Sequence, residues 1–285
     1  MKRKTPIILG ALVLVALGAA YLGRGWLRDT WEEWRQPTLP AATSFQQPVT
    51  SSKLQVPSNE RAATNSLPIA GVQKPTSTTI AVDPLAWTGK LPDETNLAVP
   101  FTSQAPKQVW DMPYQEACEE AAMLMVDAFY RGRTAKFTPD EADAAILKLI
   151  AYENIHYEGK ADMTAAEVAT FVKDYYGYKK VIVRELTSLD QVKAALANGY
   201  PVMTPAYGKA LGNPNFRNGG PLYHMLVIKG YLKDGRIITN DSGTRKGADY
   251  VYDPHVLFEA LHDWNGGDVP HGKKMMIVVI PNSKP

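Results

Sequence analysis

Hydrophobic and polar positions divide this chain into three unequal stretches. From Thr5 to Gly23 no charged residue interrupts a run rich in Ile, Leu, Val and Ala, with Lys2, Arg3 and Lys4 before it and Arg24 after it. From Pro37 to Asn96, Pro, Ser, Thr, Ala and Gln dominate, and no period of 2 or 3.6 is sustained. From Leu97 onward both periods appear, helical first and then strand-like. No internal repeat is visible.

The helical patterns come with their own punctuation. Ala121, Ala122, Met125, Ala128 and Phe129 fall at i, i+1, i+4, i+7 and i+8, one face of an amphipathic helix that starts near Cys118 and stops at Gly132. Thr138-Pro139-Asp140-Glu141 is a capping box with Pro at the first helical position, opening a helix to about Ala151. Thr164-Ala165-Ala166-Glu167 opens another that ends before Gly177, and Ser188-Leu189-Asp190-Gln191 opens a fourth that ends near Gly199. Lys179–Glu185 reads as a strand between them. Strand patterns then prevail at Pro201–Ala206, His224–Leu232, Arg236–Asp241 and Lys274–Ile280, with a tight Asp234-Gly235 turn joining the second and third. Asp253-Pro254 starts a short helix to about Trp264. Helices followed by an antiparallel sheet predict an α+β domain over 97–285.

The flanking stretches predict a tether. The uncharged run is close to the ~20 residues that span a bilayer, and longer than the 7–15 residue apolar core of a cleaved signal peptide. An uncleaved signal anchor is therefore favoured, with the basic N-terminus inside and the rest of the chain outside the cytoplasm. Gly18-Ala19-Ala20 keeps a cleavage site, and with it secretion, open. No cysteine follows the run, which excludes a lipoprotein anchor. Trp26, Trp31 and Trp34 among Arg and Glu read as interface anchors, so membrane and juxtamembrane segments occupy 1–36. The stretch over 37–96 lacks the apolar residues to offset ordering entropy and reads as a disordered linker.

Composition narrows the chemistry. A net charge of +2 over 285 residues gives no reason to expect a nucleic-acid partner. A single cysteine rules out an internal disulfide framework, so an exported domain must rest on an ordinary apolar core. That cysteine, Cys118, sits at a predicted helix N-terminus, where thiol pKa values fall. His224 opens a strand and Asp241 closes its hairpin partner, within reach of an imidazole–carboxylate hydrogen bond. A thiol, a base and a group to hold the base are the parts of a papain-type cysteine hydrolase. Each part alone reads more simply, as a buried Cys, a structural His and an Asn-Asp-Ser-Gly turn.

Val99-Pro100-Phe101-Thr102-Ser103-Gln104, Glu116-Ala117-Cys118-Glu119-Glu120-Ala121-Ala122, Asn198-Gly199-Tyr200-Pro201-Val202, Tyr223-His224-Met225-Leu226-Val227-Ile228-Lys229-Gly230-Tyr231 and Asn240-Asp241-Ser242-Gly243 together resemble the papain-like domain of the bacteriocin-leader (double-glycine) peptidase superfamily, in its stand-alone, peptidase family thirty-nine-like branch. The resemblance covers about 97–285. It implies a papain-like fold with a helical lobe and a sheet lobe, a peptide or protein substrate, and no cofactor. It also implies Cys118 as nucleophile, His224 as proton carrier, Asp241 as the residue that orients His224, and a glutamine as oxyanion donor. Gln104 matches that glutamine's context, ahead of Gln115, because the donor must reach across the cleft. Glu119 and Glu120 depart from the Cys-Gly-Pro of transporter-linked members and disfavour a thiolate, and the chain carries no transporter domain.

Two rival readings share the fold. One is a cleft that holds peptide or cell-wall ligands without cutting them. The other is transpeptidation or cell-wall amide hydrolysis. His255, His262, Asp263, Asp268 and His271 match no zinc spacing, so no metal is expected. Tyr207–Leu222 is a candidate substrate loop and Trp264-Asn265-Gly266-Gly267 a loop beside the cleft. Glu153, His156 and Tyr157 have no assigned mechanism. Substrate and oligomeric state are not legible.

Overall fold

A computed structural model of the chain describes residues 36–45 and 83–282. The expected anchor therefore lies outside the described residues save for Gln36, as does most of the expected linker. Among the described residues no helix is long and apolar enough to cross a membrane.

The described residues from 41 onward, 41–45 and 83–282, belong to one unit of α+β architecture. Its helices are α1 (Cys118–Tyr130), α2 (Pro139–His156), α3 (Ala165–Tyr176), α4 (Leu189–Ala197) and α5 (Pro254–Ala260). Its strands are β1 (Thr95–Asn96), β2 (Lys180–Glu185), β3 (Val202–Ala206), β4 (His224–Tyr231), β5 (Ile237–Asn240), β6 (Tyr250–Tyr252) and β7 (Met275–Ile280). They form one antiparallel sheet in the order β2-β7-β3-β4-β5-β6, with β1 paired to β4 beside this path.

Local sequence accounts for most boundaries. The Thr138 and Thr164 side chains accept from the N–H groups of Glu141 and Glu167, and each glutamate reaches back to its cap N–H. The Gln191 side chain does the same for the Ser188 N–H. Helix α2 outruns its expected end and reaches His156. Helix α5 stops short of Trp264, because His262 and Asp263 donate backbone N–H groups to Pro205 and Lys273.

Two expectations are corrected. The reading of α1 as amphipathic fails: every residue from Cys118 to Phe129 is buried, including Glu119, Glu120 and Asp127. The helix is central, packed on β4 and against α2 and α3, and a helix covered on all sides has no wet face. The linker boundary at Asn96 also moves. Thr95–Asn96 is strand β1, Leu85 lies in the core, Asp83 pairs with Arg184, and Thr43 bridges Leu97. Phe45 packs edge-on against Phe129 and Tyr130.

The β4–β5 hairpin positions the chemistry. Its ladder runs from Tyr231↔Ile237 to Val227↔Asn240, with an irregularity between Ile228 and Gly230. His224 lies three residues past the last pair on one strand and Asp241 one past it on the other. The two therefore meet diagonally rather than face to face. The chain turns sharply after Asp241. The Asp241 N–H donates to the Gly247 carbonyl at 2.9 Å, and a Cβ on Gly247 would fall 1.7 Å from the Asp241 carbonyl oxygen, so no side chain fits there.

Candidate active site

Cys118 is the first residue of α1, and its sulfur is buried against the sheet. No hydrogen bond is assigned to its backbone N–H among the described residues, as is usual for the first turn of a helix. The thiol donates to Glu119 Oε2 at 2.8 Å. Burial drives its pKa well above the ordinary range, and the Glu119 charge adds to that. The backbone amide of Met225, next to His224, pulls the other way. The activation expected from the helix terminus is thus outweighed in the resting site.

His224 and Asp241 meet as the hairpin reading expects. His224 Nε2 lies 2.8 Å from Asp241 Oδ1 with both side chains buried. This contact engages Nε2 and leaves Nδ1 as the free ring nitrogen. Burial alone would raise the Asp241 pKa, but His224, the Tyr252 hydroxyl and the Gly243 N–H together hold it below the ordinary value. Phe216 meets the imidazole edge-on at 5.5 Å, and a Cβ at Gly243 would sit 3.0 Å from His224 Cε1. The ring is thereby boxed in.

Cys118, His224 and Gln104 line one cleft of about 520 Å³. No hydrogen bond joins Cys118 to His224 among the described residues. Trp110, Asp111, Gln115 and Glu116 also line the cleft, as do Phe216–Asn218 and Gly220–Tyr223. The candidate substrate loop is thus a cleft wall. The Gln104 amide donates both N–H groups to the turn before Cys118, to Tyr114 O at 3.1 Å and Gln115 O at 2.9 Å. In this arrangement the amide braces the turn before Cys118. Gln115 lines the same cleft, and its amide donates to Glu116 Oε1 at 2.8 Å.

The remaining candidates have structural employment. Asp263 Oδ1 accepts from the Ala165 and Trp264 N–H groups, His262 Nδ1 contacts the Gly272 carbonyl, and His271 pairs with Asp268. No group of three or more metal-binding side chains gathers among the described residues. Trp264 packs edge-on against Tyr223 of the cleft wall. His156 packs against Tyr152 with the rings tilted by 30°, and the Tyr157 hydroxyl donates to Asp174. Glu153 is buried behind Glu120.

The model of the Peptidase_C39 like family matches residues 96–266. The chain belongs to this family. Solved structures similar to the C39-like chain include a C39-like peptidase candidate from Bacillus anthracis, 16% identical, covering 67% of this chain and 99% of that one with a TM-score of 0.45. A mutant prointerpain A fragment from Prevotella intermedia is 14% identical, covering 68% and 74% with a TM-score of 0.46. Active wild-type interpain A cysteine protease from the same organism is 16% identical, covering 66% and 95% with a TM-score of 0.40. No curated protein matches the chain.

Sequence reasoning missed two residues of this C39-like site. The Tyr252 hydroxyl donates to Asp241 Oδ2 at 2.5 Å, and the Asn213 amide donates to the same oxygen at 3.2 Å and to the Tyr252 oxygen at 2.9 Å. Tyr252 lies on the three-residue β6 and Asn213 in the 207–222 loop, and no local motif marks either. Tyr252→Phe removes one donor from a buried carboxylate and should destabilise the fold by about 1–3 kcal/mol at pH 7. Asp241 has a lowered folded pKa, so its stabilisation is present above the unfolded value and is lost as pH falls through the folded one. Urea unfolding of both proteins at pH 7 and near pH 3 should show the Tyr252→Phe deficit shrinking with acid. An equal deficit at both pH values would mean that the hydroxyl acts by packing alone.

Proposed function

We propose that the chain is a cysteine peptidase that hydrolyses peptide or amide bonds through Cys118, His224 and Asp241. The observation that carries this reading is the 2.8 Å contact of His224 Nε2 with buried Asp241, which leaves the other ring nitrogen for a cleft that Cys118 also lines. His224 takes the thiol proton as the sulfur attacks the substrate carbonyl carbon, and returns it to the leaving amine as the C–N bond breaks. A thioester remains on Cys118. Water then attacks it, His224 takes a water proton, and the thiol leaves with that proton as the acid product departs. The Cys118 N–H faces the developing oxyanion, joined by Gln104 when one amide N–H turns away from the Tyr114 or Gln115 carbonyl.

The high thiol pKa and the Cys118–Glu119 contact favour a second reading, a cleft that binds peptide or cell-wall ligands with little or no turnover. The two part on Cys118→Ala. Catalysis predicts loss of peptide hydrolysis and of labelling by a thiol-directed inhibitor, with a melting temperature lowered by only a few degrees, because deleting one buried sulfur costs about 1 kcal/mol. Unfolding of Cys118→Ala, or hydrolysis that survives it, would contradict the nucleophile.

The placement proposed for the enzyme is the outer face of a membrane, held by the 1–36 segment. Lys2, Arg3 and Lys4 before an uncharged run are what support it. In intact cells expressing the full chain, added protease should degrade the catalytic domain while cytoplasmic proteins survive. Protection of the domain until lysis would contradict the orientation.

A further inference from the structure

Three carboxyls lie buried beneath the nucleophile with no cation to balance them. Glu119 and Glu120 follow Cys118 on α1, and Glu153 on α2 faces Glu120. Among the described residues no Lys or Arg forms an ion pair with any of the three, and Glu120 Oε2 has no hydrogen-bond partner at all. Of the three, Glu119 is the one hydrogen-bonded to the sulfur. Its Oε2 meets Cys118 Sγ at 2.8 Å while its Oε1 accepts from the Met163 N–H at 3.1 Å. The Met163 carbonyl in turn accepts from the Tyr223 hydroxyl at 2.6 Å, and Tyr223 immediately precedes His224. A carboxyl thus links the thiol to the strand start that carries the imidazole.

Resting on the cysteine-peptidase reading above, we propose that Glu119 is a positioning residue and a proton gate for Cys118: protonated, it steadies the sulfur as a neutral hydrogen-bond partner, and ionised, it pins the proton on the thiol and shuts off the thiolate.

The chemistry follows from what a carboxyl does at this distance. A neutral carboxyl has an O–H to donate, and a thiolate accepts it. A carboxylate can only accept, so it holds the S–H and repels a charge on the sulfur. Which form prevails depends on every group around it. Cys118 and Glu120 face Glu119 from α1, with Glu153 behind Glu120. Asp162 faces it from the segment before α3, and Tyr223 from the start of β4, with Asp263 beyond the phenol. His224 lines the cleft nearby. The Cys118 S–H and the Met163 N–H favour the ionised form of Glu119, and Asp162 opposes it. Burial, the largest influence, drives the Glu119 carboxyl up to about 8, which leaves it mainly protonated at neutral pH.

Alkylation of Cys118 by iodoacetamide in the full chain tests the gate, since the rate follows the thiolate and needs no substrate. Glu119→Gln mimics the protonated carboxyl at every pH. It should match the wild type within about twofold at pH 6.5 and outpace it by about tenfold at pH 9.5, where only the wild type ionises. A rate ratio that does not change with pH would overturn the gate. Should Glu119→Gln fail to fold, the wild-type profile decides alone: the gate predicts a two-step rise, levelling above about pH 8 and climbing again at higher pH, and a single rise to one plateau contradicts it. His224→Ala separates the two claims. A rate at pH 6.5 unchanged by His224→Ala removes the catalytic reading, whatever the Glu119 ratio shows.

Discussion

The site depends on one fully buried carboxylate. Asp241 lies where the β4–β5 hairpin ends, and four donors converge on it: His224 Nε2 and the Gly243 N–H on one oxygen, the Tyr252 hydroxyl and the Asn213 amide on the other. An isolated carboxylate in such a place would take up a proton or disrupt the fold. Satisfied on all sides, it stays ionised and holds the imidazole in one orientation. The donors come from β4, β6, the turn after β5 and the 207–222 loop, so one residue also ties a cleft wall to the sheet. The neighbouring Asn240 extends the arrangement by donating to the Val99 carbonyl, and the Gln104 N–H donates to the Ser242 carbonyl. The strap that carries Gln104 is docked on the same turn.

The opposite electrostatic choice is made beneath Cys118. Asp241 is buried with a full set of donors and keeps its charge. Glu119, Glu120 and Glu153 are buried with few donors, and burial raises the pKa of each. Asp241 is thus a stabilised anion beside His224, whereas the surroundings of Cys118 disfavour one. An imidazole held by Asp241 and a thiol held neutral describe the resting site. Two carboxyls one residue apart in the first turn of a helix would ordinarily complement its dipole from solvent. Here the helix is enclosed, and their role becomes local.

What sequence made legible was local or paired through a short turn. The capping boxes at Thr138, Thr164 and Ser188 start α2, α3 and α4 because the cap and its reciprocal glutamate or glutamine lie three residues apart. The Asp234-Gly235 turn made the meeting of His224 and Asp241 foreseeable, though the irregularity within β4 and the sharp turn after Asp241 change facing residues into diagonal ones. Tyr252 and Asn213 stayed hidden because they reach Asp241 only through tertiary contact. The burial of Glu119 and Glu120 stayed hidden because a first-turn glutamate is ordinarily a surface residue, and only the packing of α2, α3 and β4 around α1 removes them from water. Strand β1, two residues long, carries too little pattern to stand apart from a Pro/Ser/Thr-rich stretch.

The orientation of the imidazole is the claim on which the rest stands, and nitrogen NMR of histidine-labelled protein reads it directly. The account predicts that neutral His224 carries its proton on Nε2, bonded to Asp241, with Nδ1 unprotonated toward the cleft, and that Asp241→Ala abolishes this preference. A neutral His224 protonated on Nδ1, or a tautomer mixture indifferent to Asp241→Ala, would contradict it.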